Sequence, residues 1–302
     1  MKKIILLAVI LAAFGKLVAQ DDMQATQLYS NKLFFNPAAT GFSDKFFVSG
    51  TYRAQWLGSS DLQQKELPRY VLMNLTQYFW DQRSGIGLSI YDGRRSVNNS
   101  FNVKAAYAYH LQVQEEAWLA MGLSVGLLSR SIQGAVTPEG NPVDYRNAMM
   151  SDLGLGLEYY TPELCVGASV QHIPLVLGER SARKHTHFYY YMIYYYQIDR
   201  DWRLIPSVSL RNSSFITNFD VVARISYQNQ FQIGAAYRLD AFALLLGFNL
   251  NDVLGIGYSV DFSTGFMRQV SMRPSHELVL SYRTQVLKSQ SSLQRLQNQS
   301  DF

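Results

Sequence analysis

One cysteine, Cys165, occurs in 302 residues. That excludes an internal disulfide framework and any multi-cysteine metal site. Alone on an alternating stretch, Cys165 reads as a small packing residue. Long apolar runs are also missing. A membrane-spanning helix needs about 20 apolar residues, and the longest run, Ile4 to Phe14, falls short of that. Charge of one sign is lacking too: the 27 basic residues include Lys2, Lys3 and Lys16 in the opening segment, and 27 less these three leaves 24 against 23 acidic residues. A nucleic-acid partner therefore loses its electrostatic footprint. The interior holds no Pro/Gly/Ser-rich linker and no repeat of fixed period.

The opening MKKIILLAVILAAFGKLVAQ has two lysines, an apolar core and a small residue at Ala19, which is the pattern of a cleaved secretory signal. No cysteine follows it, so a lipid-modified N-terminus is not expected. At the other end, residues 285–302 are polar and of low complexity.

What fills the space between is alternation. In SFNVKAAYAYHLQV the odd positions Phe101, Val103, Ala105, Tyr107, Tyr109, Leu111 and Val113 are apolar or aromatic, while Asn102, Lys104, His110 and Gln112 fall among the even ones. A strand places those two sets on opposite faces. The same period appears in TNFDVVARISYQ, FQIGAAYRL and LGIGYSVDFS. Counted along the chain, the pattern predicts fourteen strands, near 45–57, 69–79, 84–92, 100–113, 116–130, 151–160, 164–173, 185–197, 202–211, 217–228, 230–239, 241–251, 253–263 and 275–284. Most run about 9 to 13 residues. That exceeds the usual 5 or 6 of soluble proteins and matches the 9 to 11 or so of a tilted transmembrane strand.

Connections alternate as well. Those after even strands are short (DQRSG, QEE, TPEL, DRD, QN, ND), and the long ones, 58–68, 131–150, 174–184 and 264–274, follow odd strands. Short turns at one end and long loops at the other are the habit of outer-membrane barrels; the short connection near Asp240 departs from it. Tyr52, Trp56, Trp118, Tyr159 and Tyr282 are expected in an aromatic girdle. Arg53, Lys104, Glu158, Arg211, Asp220, Arg224, Arg238, Asp261, Glu277 and Arg283 fall on the opposite face, and a charge facing lipid costs about 2 to 4 kcal/mol at the midplane. They are expected to point inward and pair. The fold expected is an all-β, 14-stranded antiparallel transmembrane outer-membrane β-barrel with a short N-terminal periplasmic segment.

LFFNPAATG, residues 33–41, interrupts this reading. Asn36 suits a helix N-cap, Pro37 the first helical position, and Gly41 a closing residue at positive φ. Leu33, Phe34 and Phe35 need an apolar place at the inner mouth, and two readings are open: a turn that plugs the mouth, or a loop on the rim. The chain divides into a signal peptide 1–19, an N-terminal periplasmic or plug segment 20–44, a barrel 45–284 and the tail 285–302.

Few residues suggest chemistry. His185 and His187 share a strand face and could touch a metal, but no third ligand stands near them in sequence. No serine sits in a nucleophile motif, and the glycine-rich GIGYSVD precedes no helix, so neither acyl transfer nor phosphate cradling is indicated. No catalytic, cofactor-binding or metal residue is assigned, no cofactor is expected, and the partner-binding residues are unassigned.

QLYSNKLFFNPAATG after an initial QD, TYRAQW at 51–56, PSVSLR at 206–211, GAAYRL at 234–239, GIGYSVD at 255–261 and SHELVLSYR at 275–283 follow one another in an order that resembles the PorP/SprF family of type IX secretion membrane proteins. The likeness runs from Gln20 to Thr284. It implies a non-enzymatic outer-membrane component of the Gram-negative type IX secretion or gliding machinery. The implied partners are outer-membrane lipid, periplasmic ring or peptidoglycan-linked lipoproteins, and secreted cargo with a C-terminal targeting domain. Docking surfaces on a rigid barrel are expected in its loops, chiefly Ser131–Met150, and at the inner face. The alternative is a FadL-like transporter of hydrophobic or small solutes, which would want an apolar lumenal pocket.

Overall fold

The computed structural model describes residues 23–41, 45–58, 67–79, 83–95, 98–132, 146–173, 186–213, 217–250, 253–264 and 272–285. The expected signal peptide and tail, His185 and most of Ser131–Met150 lie outside them.

Alternation over long stretches produces long strands. In chain order they are β1 (Lys45–Ala54), β2 (Arg69–Phe79), β3 (Ser84–Arg95), β4 (Asn98–Gln114), β5 (Ala117–Ile132), β6 (Arg146–Tyr160), β7 (Leu164–Ile173), β8 (His187–Tyr194), β9 (Tyr196–Gln197), β10 (Trp202–Ser213), β11 (Thr217–Tyr227), β12 (Phe231–Arg238), β13 (Ala241–Leu250), β14 (Leu254–Ser263) and β15 (Ser275–Gln285). β8 and β9 both pair with β10 and follow one line broken at Tyr195, so they count as one stave. Fourteen antiparallel staves result. Each pairs with its sequence neighbours, and β15 pairs with β1, so the sheet closes on itself and leaves no edge.

Turn chemistry accounts for the tight end. Gln228 and Asn229 both have positive φ, and Gln230 N donates to Tyr227 O, which makes a two-residue hairpin turn whose twist suits the flanking strands. At the next turn the Asp199 carboxylate accepts from the backbone N–H groups of Asp201 and Trp202. At the opposite end, β3 and β4 leave only residues 96–97 between them, and β10 and β11 only 214–216. The sequence pattern ends β3 and β10 early because their last residues are polar, yet backbone pairing carries on past the apolar band.

The two faces separate as a bilayer requires. Phe101, Tyr107, Leu123, Leu155, Ile233, Leu246 and Leu280 stand 47% to 61% exposed on the outside, a continuous apolar surface that water would not tolerate. All ten inward charges expected from the sequence are at most 7% exposed. One aromatic expectation fails. Trp118 is buried, stacked on Tyr160 inside the barrel, because Leu119, Met121 and Leu123 hold the outer phase of β5 and a residue one step off must face inward.

Candidate functional site

The lumen is occupied by the chain itself. Residues 23–41 form a 3-10 turn (Leu28–Asn31), one α-helical turn (Lys32–Phe35) and a second 3-10 turn (Pro37–Ala39). The last begins as its sequence suggests: Asn36 Oδ1 accepts from Ala38 N at 3.0 Å, Pro37 leads, and Gly41 closes at φ 68°. The segment reaches from mouth to mouth. Gln24 Nε2 donates to Asp240 in the β12–β13 turn at the long-loop end, and Gly41 N donates to Thr76 Oγ1 near the short-turn end.

A short non-regular segment has many backbone groups without internal partners, and the wall supplies them. Near the long-loop end the Glu277 carboxylate accepts from the N–H groups of Thr26 (3.0 Å) and Gln27 (2.9 Å) and from the Tyr70 hydroxyl. Arg53 lies between Glu277 (3.3 Å) and Asp261 (2.6 Å); Asp220 is shared by Arg211 (2.8 Å) and Arg238 (2.7 Å). Three arginines thus meet three carboxylates, and Thr26 Oγ1 sits among them, donating to Asp261 and accepting from Arg53 and Arg238. Removing charges from water is compensated only when every charge finds a partner, and this cluster is neutral as a set.

Halfway along, the carbonyls that end the helical turn need donors. Lys104 Nζ donates to Phe34 O at 2.9 Å, while Ser169 Oγ (2.6 Å) and Gln171 Nε2 (3.1 Å) donate to Phe35 O. The Phe34 and Phe35 rings pack with Tyr70, Leu72, Tyr91 and Tyr189, each burial contributing about 1.5–3 kcal/mol. Asn36 Nδ2 donates to Tyr191 Oη and to Leu157 O, and Tyr191 in turn bonds Glu158, which pairs with Lys32 at 3.3 Å. At the short-turn end a ring nitrogen of His110 bonds Thr40 O at 2.7 Å. Two glycines let the segment touch the wall: a Cβ at Gly122 would overlap the Pro37–Ala38 peptide, and one at Gly85 would overlap Thr40 O and Gly41. Asn36→Ala, which removes the cap and both wall bonds, is expected to lower unfolding stability in detergent by about 1–2 kcal/mol, read from the shift in urea midpoint.

Residues singled out from sequence fall out as follows. Cys165 packs in an apolar cluster with Trp118, Tyr160, Ile193 and Ile205, its sulfur 3.6 Å from Lys32 Nζ. His187 faces inward and meets His172, whose ring lies 5.3 Å away and whose Nδ1 is 2.9 Å from Asp152. Sequence reading missed His172 because alternation puts it outside. A register irregularity between β6 and β7, with His172 at φ 61°, turns it in. Among the described residues, no three His, Cys, Asp or Glu side chains are grouped to hold a metal ion.

Comparison with known proteins supplies the family. The model of the type IX secretion system membrane proteins PorP/SprF matches residues 17–282. The chain belongs to this family. Among curated proteins none matches. Among solved structures, the PorP/SprF barrel described here is similar to the Ralstonia pickettii toluene transporter TbuX at a TM-score of 0.54 and 12% identity, over 83% of this chain and 92% of that one. It is also similar to a deletion mutant of the Pseudomonas putida protein TodX, called a monoaromatic hydrocarbon channel, at a TM-score of 0.50 and 12% identity, over 87% and 95%. At such identities the likeness is one of fold, and it is the fold of outer-membrane barrels. This PorP/SprF member is an outer-membrane protein of the type IX secretion system.

Proposed function

We propose that the barrel is a closed, non-enzymatic holder of protein partners, binding periplasmic machinery components or attaching secreted cargo with a C-terminal targeting domain at the cell surface. The observation that carries this reading is the occupied lumen: residues 23–41 run its length, with backbone groups of Thr26, Gln27, Phe34, Phe35 and Thr40 bonded to the wall. A transporter of hydrophobic solutes needs an open apolar cavity of several hundred Å³. Among the described residues, one cavity, beside Tyr29, Tyr191 and Asp220, has about 20 Å³ of room for water-sized contents, space for about one water molecule. With the lumen filled, recognition falls to the loops and to the two mouths.

Affinity purification of the tagged protein from detergent-solubilised outer membrane tests this. Recovery of ring lipoproteins supports a machinery role, recovery of secreted chains sharing a C-terminal domain supports attachment, and recovery of neither contradicts both. A cysteine placed at Ala39, which is 5% exposed, is expected to react slowly with a membrane-impermeant maleimide in the folded barrel and fast after unfolding. Equal rates in the two states would argue against a seated segment.

A further inference from the structure

Arg224 differs from the three arginines that meet Asp220, Asp261 and Glu277. It is 1% exposed on β11, yet where Arg53, Arg211 and Arg238 are each ion-paired, Arg224 Nη1 donates to the neutral Gln232 Oε1 at 3.0 Å. Its guanidinium carbon lies 3.3 Å from the centre of the Tyr29 ring. Nε and Nη2 have no hydrogen-bond partner. Guanidinium keeps its charge at any physiological pH, so deprotonation cannot relieve the burial.

The atoms around it repeat the pattern. Gln232 Nε2, Gln27 Nε2 and the hydroxyls of Ser226 and Ser259 are buried without hydrogen-bond partners. Four of the unmatched atoms are nitrogen donors, and hydroxyls can donate as well. Strand register brings them together. Arg224 lies opposite Gly234 and Ser226 opposite Gln232, while Gln232, Gly247 and Gly257 stand level on β12, β13 and β14. Arg224 leans across the bare Gly234, and the Gln27 side chain comes down on the bare Gly257 from the lumenal segment. On the short-turn side of Asp220, Asp261 and Glu277, the described inward residues of β11–β15 include Arg224 and Arg283 and no carboxylate.

We propose that Arg224, Gln232 and Gln27 form a binding site for a small oxyanion of the phosphate or sulfate class, held between the wall and the lumenal segment. Nε and Nη2 are the side-on edge of the guanidinium, the fork that takes two oxygens of one oxyanion. Gln232 and Gln27 supply single donors from the wall and from the segment, and Ser226 and Ser259 flank them. The site is secluded: its residues are at most 5% exposed, so only a small anion could be held there. Bound there, the anion completes the guanidinium's pairing and fastens the segment to the wall.

The test uses the purified full-length barrel in detergent, with unfolding followed by tryptophan fluorescence. Inorganic phosphate or sulfate, against sodium chloride at equal ionic strength, is expected to raise the unfolding temperature saturably by roughly 3 °C. Arg224→Met is expected to lose that response. Gln27→Leu is expected to weaken half-saturation about tenfold, the effect of one lost hydrogen bond. Should Arg224→Met fail to fold, the wild-type titration and Gln27→Leu decide. No phosphate effect beyond chloride, the same rise in Arg224→Met (an adventitious ion only), or high-resolution density showing water alone at Arg224 would each overturn the proposal.

Discussion

Glu277→Ala is expected to destabilise the folded barrel by about 3–5 kcal/mol, the usual consequence of removing one partner from a buried charge network. The loss has several parts. Arg53 would keep Asp261 and lose its second carboxylate, the Tyr70 hydroxyl would be left with Gln24 O as its acceptor, and the N–H groups of Thr26 and Gln27 would be stranded in a dry interior. Glu277→Gln should recover part of the deficit, since its amide oxygen can still accept from a backbone N–H. The measurement is the urea midpoint of heat-modifiable mobility in detergent. Because Arg53 and Glu277 share the network, the Arg53→Met, Glu277→Leu double variant is expected to lose less than its two singles combined. Additive losses would show that the network does not act as a unit.

Gly122→Leu is expected to change the barrel's permeability. A Cβ there overlaps the Pro37–Ala38 peptide, which has no side-chain freedom with which to yield, so the second 3-10 turn cannot seat. The bonds next to it, Asn36 to Tyr191 and His110 to Thr40, go with it. In a planar bilayer the native protein should be silent, and Gly122→Leu should show discrete conductance steps like those of a chain lacking residues 23–41. Leu123→Ala, next in sequence but facing lipid, should stay silent. Conductance in the native protein, or silence in both the Gly122 variant and the deletion, contradicts a sealed lumen.

Much of this architecture is legible in the residues. Period-two alternation locates the staves, because burial on one face and lipid on the other leave no latitude for a slip, and the cost of a charge in hydrocarbon assigns ten ionisable side chains to the inside. Which of them meet is another matter. Arg53 and Asp261 are separated by 208 residues and come together only through the β1–β15 seam and the β14–β15 register. The helical turn at Lys32–Phe35 has no signal of its own: at four residues it is too short for periodicity, and it exists because the wall satisfies its carbonyls. Trp118 and His172 mislead for opposite reasons. The first is an apolar residue that the strand phase turns inward, and the second is a polar residue that a register irregularity turns inward. The outward-facing residues carry no comparable ambiguity, since lipid accepts any apolar side chain without regard to its neighbours.

The seam also bears on how the molecule is put together. β1 directly follows the lumenal segment, and β15 is the stave farthest from it in sequence, yet those two zip side by side. Joining the last stave to the first therefore does more than remove an edge: it sets Glu277 of β15 beside Arg53 of β1, and with it the carboxylate that holds Thr26 and Gln27 of the lumenal segment.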